Sequence, residues 1–323
     1  MSLRLAAFAL FSLLLSSSVS AAPLAKRAQL CNGHAELCDR KYGNVTFLGS
    51  HDSFAFSGNP FALARTQEVK VLTQLSDGVR MLQAQSHMNN GKLHFATEVR
   101  IQCFVPCLCG LTMTLLFLFS FGIIACGLFD GGSVEDYLTK NQSVSKVWKP
   151  IFDKTGLTQM AYIPTQPVMS RDDWPTLGEM ISSGKRVVIF LDKGAETRTE
   201  PAVEFILPQF QMVWEDVYDP TNSAFPCKVD RTAGPLAPSQ QLSLINHNLN
   251  ANIFPIGRGI LIPDRLNSPK TNSINSILLH ASHCAPYVQD RNPNFVMLDY
   301  VNVGQGLEAV NRLNGSLSKL PLG

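Results

Sequence analysis

The chain has 323 residues, with 27 Lys and Arg against 25 Asp and Glu, a net charge of +2, and 45% hydrophobic residues. A balance so close to neutral, with its basic residues dispersed, argues against a nucleic-acid partner, which needs a concentrated basic surface. The roughly 300 residues behind a leader suffice for one large domain with a deep core or two modest ones.

The first residues, MSLRLAAFALFSLLLSSSVSAAP, carry one arginine, an apolar stretch and then small residues. This predicts a secretory signal peptide over residues 1–21, cut after Ala21 or Ala22. The dibasic pair Lys26-Arg27 closes a short propeptide at 22–27 and leaves residues 28–323 as a single domain. In an extracellular chain the sequons at Asn44, Asn141 and Asn314 are glycosylation acceptors. The eight cysteines then read first as disulfide formers. Cys31 and Cys38 are near enough to close a small loop, and Cys227 and Cys284 a long one. Cys107 and Cys109, near Cys103, lack a second ligand pair for zinc, so no metal site is expected there.

Short apolar or β-branched runs predict strands at Val45–Leu48, Val79–Gln85, Arg186–Asp192, Phe210–Trp214, Leu242–His247 and Phe295–Val301. Helix signals lie between them. Ser133 is an N-cap candidate with Asp136 three residues on, Pro175 stands near a helix start, and Leu307, Val310 and Leu313 recur at helical spacing before Gly315. The alternation favours a parallel sheet with outer helices, at this length a closed β/α barrel, with a doubly wound sheet as the alternative. Polar residues collect at the predicted strand ends: His51 and Asp52, Gln83 and Gln85, Asp192 and Lys193, Glu215 and Asp216, Asn246 and His247, and Asp299. In such barrels the C-terminal strand ends form the active face.

One region breaks the pattern. From Ile101 to Phe129 no residue is charged. The core from Leu111 to Ile124 is long enough for a membrane span, yet a span inside a barrel would separate strands that must pair. A buried strand with a loop, or sequence foreign to the fold over 96–125, are the competing accounts.

The stretch VTFLGSHDSFAFSGNPFALARTQEVKVLTQLSDGVRMLQAQSH, followed by CGLFDGGSVEDYL, DWPTLGEMISSGKRVVIFLD, INHNLN and RNPNFVMLDYVNVGQ, resembles the secreted fungal branch of the phosphatidylinositol-specific phospholipase C-like, X-domain-like phosphodiesterases. The resemblance runs from about Cys31 to Asn314. It implies an α/β fold, a distorted TIM-type barrel, and phosphodiester cleavage by two histidines. His51, beside Asp52, matches the general base that takes a proton from an inositol hydroxyl, and Asp299 matches the carboxylate that orients it. It also implies the disulfides Cys31–Cys38 and Cys227–Cys284.

The chain departs from the family pattern in three places. The Cys-His-Thr or Cys-His-Ser step that carries the second histidine is absent, leaving His94 or His247 as substitutes. After Lys140 about one strand and one helix are missing, so that the insertion and the gap together fit a retained intron or a shifted exon boundary, or else a divergent native protein. Where relatives carry an Asp and Arg or calcium-binding carboxylates, this chain has Gln83 and Gln85, and neutral amides hold calcium less tightly. No cofactor is therefore expected. Gln83, Gln85, Asp192, Lys193, Glu215, Asn246 and His247 are the substrate-binding candidates.

The functional expectation is a secreted phosphoric diester hydrolase of phospholipase C type. It would be a monomer that acts on a phospholipid or another phosphodiester with transient membrane-surface contact and no nucleic acid. A catalytically impaired relative that binds a lipid head group or a glycan is the alternative, and a protein anchored by Leu111–Ile124 a third reading.

Overall fold

The computed structural model describes residues 30–59, 61–89, 92–95, 115–120, 144–192, 194–195, 203–253 and 260–316. Its strands are β1 (Phe47–Ser50), β2 (Met81–Asn89), β3 (Lys92–Phe95), β4 (Leu115–Ser120), β5 (Val187–Leu191), β6 (Ile206–Pro208), β7 (Val213–Glu215), β8 (Leu242–Asn246), β9 (Asn250–Asn252), β10 (Leu261–Pro263) and β11 (Phe295–Leu298). The main sheet runs β6-β5-β4-β2-β1-β11-β8-β7, and β3 pairs antiparallel to β2 off that path. Every neighbouring pair along the path is parallel. Every residue of β1, β5, β8 and β11 is buried, which explains why these strands read as near-continuous apolar runs rather than alternating ones.

The path ends at β6 and β7, which are separated in sequence by a single helical turn, Gln209–Met212. This is a distorted barrel, interrupted at that point among the described residues. The predicted strand Phe210–Trp214 is thus half helical turn and half strand, and β1 starts two residues later than Val45.

The uncharged segment supplies a barrel strand. β4 lies between β2 and β5, with Leu118 opposite Gln83 on one side and Phe190 on the other. β4 thus takes a place in the parallel set, and the gap expected after Lys140 lies outside the described residues. The expected insertion at 96–125 and the expected anchor at Leu111–Ile124 both include this strand, and among the described residues no helix is long and apolar enough to cross a membrane. The helix expected from Ser133 lies outside the described residues.

Among the described residues the helices of six residues or more are α1 (Val71–Ser76), α2 (Val144–Thr155), α3 (Leu177–Ser182), α4 (Ile274–Cys284) and α5 (Gly306–Leu313). Behind Pro175, α3 opens on a capping box in which Thr176 Oγ1 accepts from the Glu179 backbone and Glu179 accepts from the Thr176 backbone. In α5, Ala309 and Val310 face the core, and Gly315 beyond its end has φ +68°. The N-terminal end of the barrel is plugged by aromatic rings, with Tyr42 4.8 Å from Trp174 and 5.2 Å from Phe47.

Asn314 does not behave as an exposed sequon. Its amide clamps Thr46, donating to the Thr46 carbonyl and accepting from the Thr46 N–H, both at 2.8 Å, and it is 2% exposed. No oligosaccharide transferase product fits there in the folded chain. Asn44 is exposed, and Asn141 lies outside the described residues.

Disulfides join Cys31 to Cys38 and Cys227 to Cys284, the second across 57 residues of sequence. Closing a loop of that length removes denatured-state entropy worth roughly 4 kcal/mol. The double variant Cys227→Ser/Cys284→Ser should therefore lose about that much unfolding free energy in a urea titration. A loss below about 1 kcal/mol would show that the bond does not stabilise by constraining the unfolded chain.

Candidate active site

Because the strands of the path are parallel, their C-terminal ends share one end of the barrel. β1 delivers His51 there and β11 delivers Asp299. His51 Nδ1 lies 2.8 Å from Asp299 Oδ1. The imidazole is 12% exposed and the carboxylate 6%, so the pair sits at the floor of that end rather than on its rim.

The turn that carries His51 is sewn to its neighbours by side-chain amides. The His51 N–H donates to the Leu298 carbonyl at 2.9 Å. Gln67 Nε2 donates to the carbonyls of His51 at 2.8 Å and Leu298 at 3.1 Å. Asp52 adopts φ +38°, in the left-handed region where an Asp is tolerated better than most residues, and its N–H donates to Gln83 Oε1 at 2.7 Å. Ser53 donates its N–H to the Gln83 carbonyl and accepts the Gln83 N–H on its hydroxyl. Asp299 is steadied from the other side, where Asn272 Nδ2 donates to its carbonyl at 2.9 Å.

Burial alone would pull the His51 imidazole down, but the charge and hydrogen bond of Asp299, then the charges of Asp52 and Asp219, outweigh it and push the pKa up to about 9. Burial pushes the Asp299 carboxyl upward from its ordinary value, against the pull of His51. Asp52 Oδ2 is 4.0 Å from the other ring nitrogen, Nε2. The imidazole is thus held as a cation at neutral pH among carboxylates.

The structure brings together His51, Asp52, Gln83 and Asp299, but Gln83 acts as a clamp on the turn. Asp192 is buried at the end of β5. Gln85 is opposite Ser120 in register, and His94 on β3 is opposite His87. Lys193 lies outside the described residues. Glu215 is buried against Arg231 and Gln209, with its carboxyl raised by burial despite the pull of Arg231. Asn246 is spent on Asp216, donating its backbone N–H to Oδ1 at 2.7 Å and its amide to the Asp216 carbonyl at 3.0 Å.

His247 is fully buried in a chain of its own. Its Nε2 is 2.8 Å from the Thr271 carbonyl, which can only accept, so His247 donates there and accepts on Nδ1. His280 must then donate from Nδ1 at 2.9 Å, while its Nε2 lies 2.7 Å from Asp216 Oδ2 and a shared proton completes that contact. Phe225 packs on both rings, 4.1 and 5.0 Å away. With both ring nitrogens engaged, His247 ties β8 to α4 and does not face a substrate.

Sequence reasoning missed Gln67, Asp219, His280 and Asn248. The last is the clearest case, because INHNLN drew attention to Asn246 and His247, whereas Asn248 Nδ2 is the atom 3.3 Å from His51 Nδ1. Period-two alternation beyond the strand end was the available signal, since it puts residues 246 and 248 on the same side.

The metal alternatives do not fit these residues. β2 carries no carboxylate, and the Gln83 side-chain oxygen already accepts from the Asp52 N–H. Asp216, Cys227 and Cys284 offer three clustered ligand atoms, but the two sulfurs are bonded to each other.

A family model described as PI-PLC X 1 matches residues 37–109 and 134–314. The chain belongs to the PI-PLC X family. The unmatched interval contains β4. Two proteins of Arthroderma benhamiae are each 32% identical to it: an uncharacterized secreted protein, over 90% of this chain, and PI-PLC X domain-containing protein 1, over 94% of this chain and 95% of its own length. The chain spans 64% of the length of the first. Among solved structures, phosphatidylinositol-specific phospholipase C of Listeria monocytogenes aligns with a TM-score of 0.51 at 12% identity, over 87% of this chain and 96% of the other. The Staphylococcus aureus enzyme, in a study of its membrane binding, aligns with a TM-score of 0.52 at 11% identity, over 87% and 95%. Both likenesses concern the fold.

Burial and the neighbouring His280 charge hold the His247 pKa down to about 3. An unfolded imidazole titrates near 6.5, so between these values the unfolded chain binds a proton that the folded chain refuses, and stability falls as pH falls, by up to about 1.4 kcal/mol per unit. Urea titrations at pH 6 and 4.5 should show a smaller acid loss for His247→Asn than for the parent chain. Equal losses in the two proteins would mean that His247 is not held neutral.

Proposed function

We propose that this chain is a secreted phosphoric diester hydrolase of phospholipase C type acting on phosphatidylinositol or a related lipid. The observation that carries this is the 2.8 Å contact between His51 and Asp299 at the ends of adjacent parallel strands. With Nδ1–H directed at Asp299, the Nε2 of a neutral His51 is left to take a proton from a hydroxyl that attacks phosphorus. His94 is the proposed general acid, the group that protonates the departing oxygen. Secretion is supported by the leader sequence and by the relative named a secreted protein.

Contact with a membrane surface has its own support. Phe61 and Leu266 are 85% and 92% exposed, and Tyr218 and Ile253 are also exposed. They lie on the segments after β1, β7 and β8, at the same end as His51. Apolar side chains so placed would enter the lipid interface while the floor of the site meets the head group.

A second reading is favoured by the charge on His51. An imidazole held as a cation at neutral pH is a better phosphate ligand than a base, so a head-group binder that does not cleave is the alternative. Turnover of phosphatidylinositol vesicles against pH separates the two. Hydrolysis by a neutral His51 should rise about tenfold per pH unit and level off near pH 9. His51→Ala should fall by about 10²- to 10⁴-fold while remaining folded, and Phe61→Ser/Leu266→Ser should bind the vesicles less. Vesicle binding without turnover at any pH would leave only the binding reading.

A further inference from the structure

Asn44 is an exposed residue in a buried run, with Tyr42 and Gly43 buried before it and Val45 and Thr46 buried after it. Thr46, whose hydroxyl completes the same sequon, is 2% exposed, and its Oγ1 donates to the Pro293 carbonyl at 2.7 Å. Resting on the reading of the chain as secreted, we propose that Asn44 is an N-glycosylation site that accepts its oligosaccharide only while the chain is nascent, and that residues made later lock the sequon shut.

The transfer joins the Asn44 amide nitrogen to C1 of a sugar carried on a polyprenyl pyrophosphate. The bond from C1 to the pyrophosphate oxygen breaks with its electrons on that oxygen, and the amide gives one proton to a base of the transferase. An N-x-T acceptor is read through its first and third residues together, and in the folded chain the third is out of reach. The Asn314 amide holds both backbone groups of Thr46 at 2.8 Å. Arg171 Nε donates to the Gly43 carbonyl at 2.6 Å, and Asn294 Nδ2 donates to the carbonyls of Gly43 at 2.8 Å and Val45 at 3.3 Å. These partners stand 128 to 268 residues further along the chain. At the usual pace of synthesis the last of them is made roughly 15–50 s after Thr46, and through that interval the sequon is open. Folding then closes around Thr46 and leaves Asn44 in water with its sugar. Asn314 has the reverse history, because its partner Thr46 is already made when it appears, and its own sequon hydroxyl, on Ser316, donates to Glu36 at 3.0 Å. Asn44 precedes β1 and His51 follows it, so the oligosaccharide lies roughly 20 Å along the strand from the site and leaves that end of the barrel uncovered.

The test reads each site by enzymatic release of the oligosaccharide in ¹⁸O water, which turns a glycosylated Asn into a labelled Asp that peptide mapping locates. In full chain synthesised into endoplasmic-reticulum microsomes, Asn44 should be labelled in most molecules and Asn314 in almost none. Full chain made in bacteria, folded and free of sugar, is then offered to solubilised transferase with its lipid-linked oligosaccharide. Beside it runs the same chain diluted from urea into the reaction, which has to fold while the transferase is present. Opening the lock breaks at least two buried hydrogen bonds at once, so the folded sample should carry at least about tenfold less label at Asn44 than the sample diluted from urea. Unlabelled Asn44 in chains that an added protease cannot reach inside the microsomes, or equal label in the two bacterial samples, would overturn the proposal. Chains left outside the microsomes would overturn the reading as a secreted protein instead, and the two bacterial samples would still decide whether folding locks the sequon.

Discussion

Ser50 on β1 is paired with Leu298 on β11, and the residues that leave these two strands inherit that register. His51 and Asp299 are the next residue on each side, so the parallel pairing itself sets an imidazole and a carboxylate 2.8 Å apart. A slip of one residue would send both side chains to the opposite face. Most of the surrounding hydrogen bonds serve to prevent it: Gln67 bridges the two strand ends, Asn272 holds Asp299, and Gln83 holds the turn after His51.

The same arrangement sets the chemistry. A buried ion pair is expensive to break from one side, because the remaining charge stays out of water without a partner. His51 is therefore held as a cation beside Asp299, with Asp52 and Asp219 adding to the field, and a change of pH rather than a change of shape converts it to a base. The buried chain from Asp216 through His280 to His247 uses the same residue types to the opposite end, keeping one imidazole neutral so that β8 and α4 stay joined.

The barrel and the polar strand ends were legible in the sequence from local pattern, and the pairing of His51 with Asp299 was what the family resemblance implied. His51 and Asp299 each follow an apolar run, and a parallel barrel collects such residues at one end. β4 was harder to read, since a six-residue strand inside a long uncharged run has no periodicity to separate it from a membrane span or a buried helix. Glu215, Asn246 and His247 stand at strand ends like the others, yet their partners Arg231, Asp216 and His280 come from segments whose approach only the folded chain reveals. Asn314 has the spacing of a glycosylation acceptor and the burial of a clamp, and a sequon carries no signal of burial. The side chains of Gln85 and His94, and all of Lys193, lie outside the described residues.

Titration of His51 by ¹⁵N chemical shift in the parent chain and in Asp299→Asn tests the central pair most directly. Asparagine keeps the shape of the carboxylate and removes its charge, so burial is left to act on the imidazole with less opposition. The parent midpoint should lie near pH 9 and that of Asp299→Asn should fall to about 6.5 or below. Coincident midpoints would show that Asp299 does not govern His51, and the pairing of β1 with β11 would then explain the fold but not the site.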